Sequence, residues 1–150
     1  MDLKWDSSLN TGVLCFDEEH RTILKMLNML REFVRSGKRK DAKDFANRVI
    51  IPYLISHLRH EEEIMSLYRF PEYERHVRAH FIVERLFRET LESAPDREMH
   101  NLKHFQAIAL GWLFGHIVKT DKKYGEFFKN QGLIDKVGSI EPVKPPAGFL

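Results

Sequence analysis

The chain has 150 residues, 43% of them hydrophobic and 31% charged, enough for one self-sufficient core and too apolar for extended disorder. Its 24 basic and 22 acidic residues are interspersed and leave a net charge of +2, so no strong field exists to draw nucleic acid or an anionic lipid surface. The single cysteine, Cys15, excludes an intramolecular disulfide, and neither a signal-peptide stretch nor a run of ~18 apolar residues is present, which points to a cytoplasmic protein without a membrane span.

Residues 1–16 mix Asp6, Ser7, Ser8, Asn10, Thr11 and Gly12 with isolated apolar positions, which predicts an extended arm pinned by Trp5, Leu9 and Val13. Cys15 at its end reads as a small buried hydrophobe. From Asp17 to about Arg35, the residues Ile23, Met26, Leu27, Leu30, Phe33 and Val34 recur at steps of three and four, the spacing of one helical face, and Ser36-Gly37 supplies the stop. The basic run Lys38-Arg39-Lys40 reads as a solvated turn.

A second helix is expected from Asp41, as its N-cap, through Phe45, Val49, Leu54, Leu58, Met65 and Leu67. It should kink or restart at Pro52, because proline in a helix interior costs ~3 kcal/mol. Phe70-Pro71-Glu72, with Pro71 near the first helical position, opens a third helix that continues through His76, His80, Val83, Leu86 and Phe87 to about Ser93, where Pro95-Asp96 breaks and recaps the chain.

The fourth helix runs from about Arg97 to Asp121 or slightly beyond. Leu102, Phe105, Ile108, Ala109, Trp112, Leu113 and His116 face inward, and Gly125 and Gly132 mark its decay. Residues 132–150, rich in glycine and proline, form an irregular tail with Phe149 and Leu150 as docking residues. The expected architecture is all-α: an up-down-up-down four-helix bundle over residues 1–131, including the N-terminal arm, followed by the tail.

Eight histidines are a modest excess, and their spacing says more than their number. His57 and Glu61 are four apart on one helix, an offset of about 40° that stacks both side chains toward one spot. His76 and His80 repeat this on the next helix. His116 and Asp121 are five apart, about 140° around the helix, and converge only if the aspartate reaches sideways or the helix loosens there. His20 opens the first helix, so each helix offers at least one imidazole to the interior. One such pair arises easily by chance on a solvated face, but four converging helices make one pocket of nitrogen and carboxylate donors, a set that iron accepts.

Trp5-Asp6 with Leu9 and Gly12, Asp17 with His20, His57 through Glu61-Glu62, His76-x-x-x-His80, and Trp112-Leu113-x-x-His116 followed by Asp121 and Tyr124 resemble the hemerythrin family in order and spacing. Within that family the pattern looks like the bacterial single-domain members, and the resemblance extends from Trp5 to about Tyr124. It implies a non-haem di-iron centre held by His20, His57, Glu61, His76, His80, His116 and Asp121. Glu61, Asp121 and an oxo or hydroxo group would bridge the two irons, with His76, His80 and His116 completing one and His20 and His57 holding the other, five-coordinate one.

The function implied is reversible dioxygen binding, for carriage, storage or delivery, without enzymatic turnover. Ile23, Leu54, Leu58, Leu113 and Ile117 lie within about one helical turn of these residues and are candidates for the oxygen-pocket wall. Leu58 follows His57 where the family usually has Phe, which implies a roomier pocket, and Glu19 precedes His20 where Gln is frequent. His60, His100 and His104 match no ligand position and read as structural or exposed.

Three other functions compete. A ferritin-like di-iron oxidase would need Glu-x-x-His pairs, and no histidine here has Glu three residues before it. A zinc hydrolase would need His-Glu-x-x-His, which His57-Leu58-Arg59-His60-Glu61 is not. An oxygen- or redox-sensing module that signals to a protein partner remains open on fold grounds.

Overall fold

A computed structural model describes residues 3–92, 97–147 and 149. The chain folds into α1 (Leu14–Arg35), α2 (Arg39–Phe45), α3 (Ile51–Leu67), α4 (Tyr73–Glu92), α5 (Glu98–His116), α6 (Lys122–Asn130) and α7 (Ile134–Gly138). A π turn over Ala46–Ile50 joins α2 to α3, and a second over Ile117–Asp121 joins α5 to α6, so the chain makes four long rods. Consecutive rods pack together and the first closes against the fourth, an all-α bundle without strands among the described residues. No described helix is long and apolar enough to cross a membrane.

The first π turn accounts for Pro52. Its ring removes one backbone donor and crowds the preceding turn, and widening that turn to i→i+5 bonding, with the Ile51 N–H reaching the Ala46 carbonyl, lets α3 restart with proline in its first turn. The second rod therefore begins as two helices, and it starts at Arg39 with no side-chain cap: Asp41 lies inside the first turn instead of capping it.

Several expectations shift by local chemistry. The arm ends at Val13, and Ser7–Leu9 within it forms a 3₁₀ turn capped by Asp6. Pro71 sits in the turn before α4, which starts at Tyr73. Leu86 is 40% exposed, because the buried face of α4 at that level belongs to Val83, Phe87 and Thr90. The expected break at Pro95-Asp96 and docking by Leu150 lie outside the described residues. The tail is not wholly irregular: α7 buries Val137, and Phe149 stacks on Phe45 with ring centroids 6.0 Å apart.

Gly125 does not end the fourth rod; it lies within α6, where a Cβ would stand 2.1 Å from the Thr11 carbonyl oxygen. Glycine is there so that the arm can cross α6 at backbone distance. Asp17 fixes the same crossing, one oxygen accepting from the Thr11 N–H (2.8 Å) and hydroxyl (2.9 Å) and the other from the Gly12 N–H (3.1 Å).

The core is split in two. A large apolar cluster contains Ile23, Leu27, Leu30, Leu54, Leu58, Val83, Phe87, Phe105, Leu113 and Ile117, and a smaller one contains Val13, Cys15, Phe16, Ile64, Met65, Phe70, Tyr124, Phe128 and Val137. His20 falls between the two sets on the first rod, Glu61 on the second, His76 and His80 on the third and Asp121 on the fourth, while His57 and His116 each stand one residue before the last large-cluster residue of their rods, Leu58 and Ile117. The polar layer is therefore roofed and floored by packed hydrocarbon, where an uncompensated polar group is costly.

Candidate metal centre

His20 comes from α1, His57 and Glu61 from α3, His76 and His80 from α4, His116 from the end of α5, and Asp121 from the π turn that follows. All are buried. The i, i+4 spacing brings His57 beside Glu61 and His76 beside His80, as one helical face requires. The π turn does the same for a spacing of five: widening the helix by one residue returns Asp121 to the face of His116, and its Oδ1 lies 3.0 Å from His116 Nε2.

Donor atoms form two groups that share Glu61. Glu61, His76, His80, His116 and Asp121 each offer an atom within 4.8 Å of the others, and so do His20, His57 and Glu61. Each carboxylate turns one oxygen to each side. Glu61 Oε1 lies 3.5 Å from His20 Nε2 and 3.6 Å from His57 Nε2, while Oε2 lies 3.5 Å from His76 Nε2 and 3.3 Å from His80 Nε2. Asp121 Oδ2 is 3.4 Å from His20 Nε2, and Oδ1 is 3.3 Å from His76 Nε2. Both carboxylates thus face the imidazoles of both groups at once.

The same atoms are poorly satisfied by each other. The Nε2 atoms of His80 and His116 are 3.1 Å apart and those of His116 and His76 3.2 Å apart, so three imidazoles aim one nitrogen each at a common point. Glu61 Oε2 and both Asp121 oxygens are buried without a hydrogen-bond partner among the described residues. A cation between them removes both defects, and imidazole with carboxylate suits iron.

Electrostatics agree. Burial opposes ionisation of Glu61 and Asp121, yet the surrounding imidazoles hold both carboxyls well below the usual range. In turn, although burial alone would lower them, Asp121 and Glu61 raise His20 to about 10 and His76 to about 9. Protons stand in the metal-free protein where cations would otherwise balance the buried charge.

The outward ring nitrogens fall into two kinds. His57 Nδ1 meets Glu19 Oε2 at 2.6 Å and His80 Nδ1 meets Glu62 Oε1 at 3.0 Å. An ionised carboxylate only accepts, so the proton sits on Nδ1 and the Nε2 lone pair faces the cluster. His20 and His76 have no Nδ1 partner among the described residues and are held by packing, Trp5 stacking on His20 at 6.3 Å and Tyr124 lying 5.6 Å from His76. Burial and the nearby carboxylates push the Tyr124 hydroxyl well above its ordinary value, so it stays protonated and donates to Glu61 Oε1 at 2.6 Å.

Glu19, Glu62 and Tyr124 had been given no role from the sequence. Glu19 was detectable: Phe16, Glu19, Ile23 and Met26 follow the three-and-four spacing of the buried face, so a carboxylate there needs buried partners. His60, read as structural or exposed, donates to Glu19 Oε1 at 2.6 Å and is structural; His100 and His104 are exposed. Ile23, Leu54, Leu58, Leu113 and Ile117 all lie in the large apolar cluster. Cys15 is buried beside the Val137 carbonyl, and burial pushes its thiol up to about 12.

Residues 11–128 match the hemerythrin HHE cation-binding domain. A bacteriohemerythrin of Stenotrophomonas maltophilia is 29% identical over 128 residues, covering 85% of this chain and 82% of that protein. One of Methylococcus capsulatus is 24% identical (82% and 94% covered), and a hemerythrin-like protein of Naegleria gruberi 25% identical (80% and 88% covered). With the matched span reaching from the arm to α6 and enclosing every residue of the polar layer, the chain belongs to the hemerythrin family.

Proposed function

We propose that this protein binds dioxygen reversibly at two iron ions held by His20, His57, Glu61, His76, His80, His116 and Asp121, acting in carriage, storage or delivery and not as an enzyme. The observation that carries the reading is the two-sided placement of Glu61 and Asp121, each presenting one oxygen to His20 and the other to His76. When bound, a pair of ferrous ions supplies the two electrons that reversible dioxygen binding draws on.

The chain's own residues do the rest. Three imidazoles and both carboxylates would hold one iron, whereas His20 and His57 with the same carboxylates would hold the other, with one protein donor fewer. Glu19 and Glu62 keep the Nδ1 protons of His57 and His80 away from the metals. Tyr124 donates to Glu61 and limits the negative charge that this carboxylate can bring to the irons. Leu58, Ile23, Leu54, Leu113 and Ile117 exclude water from that end of the layer. A single buried thiol fits a reducing compartment such as the cytoplasm.

Anaerobic loading with ferrous iron, followed by metal analysis, tests the reading. Two irons per chain are expected, and one or none would overturn it.

A further inference from the structure

Glu19 stands at the edge of the metal centre, fully buried, with three donors converging on it. Oε2 accepts a hydrogen bond from His57 Nδ1 at 2.6 Å, and Oε1 accepts from His60 Nδ1 at 2.6 Å and from the Val143 N–H at 2.9 Å. Val143 lies 124 residues away in the extended C-terminal segment. Its carbonyl accepts from the Tyr53 hydroxyl at 3.0 Å, so this residue's backbone is gripped through both its N–H and its C=O. Its side chain packs on the large apolar cluster.

We propose that Glu19 is a positioning residue that couples the C-terminal segment to the His20–His57 side of the metal centre, so that docking of Val143 and metal binding at His57 strengthen each other. The proposal rests on the metal-binding reading above and goes beyond it by making residues outside the matched family span part of the centre. Only a carboxylate satisfies all three donors, because an amide would turn its NH₂ toward one of them. Losing the Val143 N–H frees Oε1 and with it the anchorage of His60. Losing the carboxylate releases both the segment and the Nδ1 proton that orients His57. Coupling between two binding events is reciprocal, so metal at His57 must also tighten the segment.

Cobalt(II) serves as the probe, its visible bands reporting each site in the full-length protein. The wild type should take up two ions in two steps, the five-donor group around His116 filling first and the His20–His57 group second. Glu19→Gln should weaken the second step about 10–100-fold and leave the first unchanged. Val143→Pro, which removes the N–H but leaves the carboxylate, should weaken the second step alone and by less. In the wild type, hydrogen exchange at the Val143 amide should slow with the second equivalent of cobalt and not with the first. An unchanged second step in Glu19→Gln, equal weakening of both steps, or a Val143 amide indifferent to the second ion would overturn the coupling while leaving the metal reading intact. Fewer than two ions bound by the wild type would overturn both.

Discussion

Asp121 Oδ1 stands 3.0 Å from His116 Nε2 although the two residues are five apart in sequence, and the intervening π turn is what closes that distance. A regular α-helix would rotate the carboxylate about 140° away. One slipped hydrogen-bond register therefore decides whether the cluster has one two-sided carboxylate or two.

Removing the charge of Asp121 should show this. In Asp121→Asn the amide keeps the size but loses the anionic oxygens that face His20 and His76. Iron content is expected to fall from two per chain toward one, measured by metal analysis after anaerobic loading, with far-ultraviolet circular dichroism unchanged.

The metal-free protein should lose stability as pH rises. His20 and His76 are raised to about 10 and about 9 in the folded state, whereas the unfolded value is about 6.5. Their contribution is fully present below about 6.5 and disappears as pH climbs through 9 to 10. Thermal unfolding of the metal-free form should show a falling midpoint over that window, and the iron-loaded form should not follow it. The same protons should appear in solution when ferrous iron is added at neutral pH, detectable with an indicator dye.

Gly125→Ala should act on the arm. The added Cβ meets the Thr11 carbonyl oxygen, a backbone atom that can yield only by moving the arm. We expect a loss of about 1–3 kcal/mol in denaturant unfolding. Because Trp5 stacks on His20 from that arm, the tryptophan emission of the metal-free protein should shift to the red.

Leu58 is the residue to change for pocket size. It is 1% exposed and follows His57 on α3. Leu58→Ala should admit water beside the irons and shorten the lifetime of the oxygenated form, at a stability cost of about 2–5 kcal/mol. Leu58→Phe should lengthen that lifetime. The decay of the oxygenated spectrum in air measures both.

The rods and the polar layer were legible in the sequence because both signals are periodic. Ile23, Met26, Leu27 and Leu30 mark a face by three-and-four steps, and His57 with Glu61 or His76 with His80 mark a shared direction by a step of four. The π turns were not visible as such, since a slipped hydrogen-bond register leaves no apolar period; only the five-residue step from His116 to Asp121 hinted that the helix must loosen. Helix α7 has five residues, too few to show a period, and is anchored by buried Val137, with Gly138 buried beside it. Gly125 read as a breaker because its reason, the Thr11 backbone, is more than a hundred residues away in sequence. Glu19 read as a flanking residue because its third donor comes from the C-terminal segment.

The most direct test of the central claim is an optical titration of the anaerobically reduced, iron-loaded protein with dioxygen, followed by removal of the gas. Near-ultraviolet and visible charge-transfer bands should rise to saturation at one dioxygen per chain and vanish on deoxygenation, through repeated cycles. Bands that never form, or that form once and persist after the gas is removed, would contradict reversible dioxygen binding by this protein.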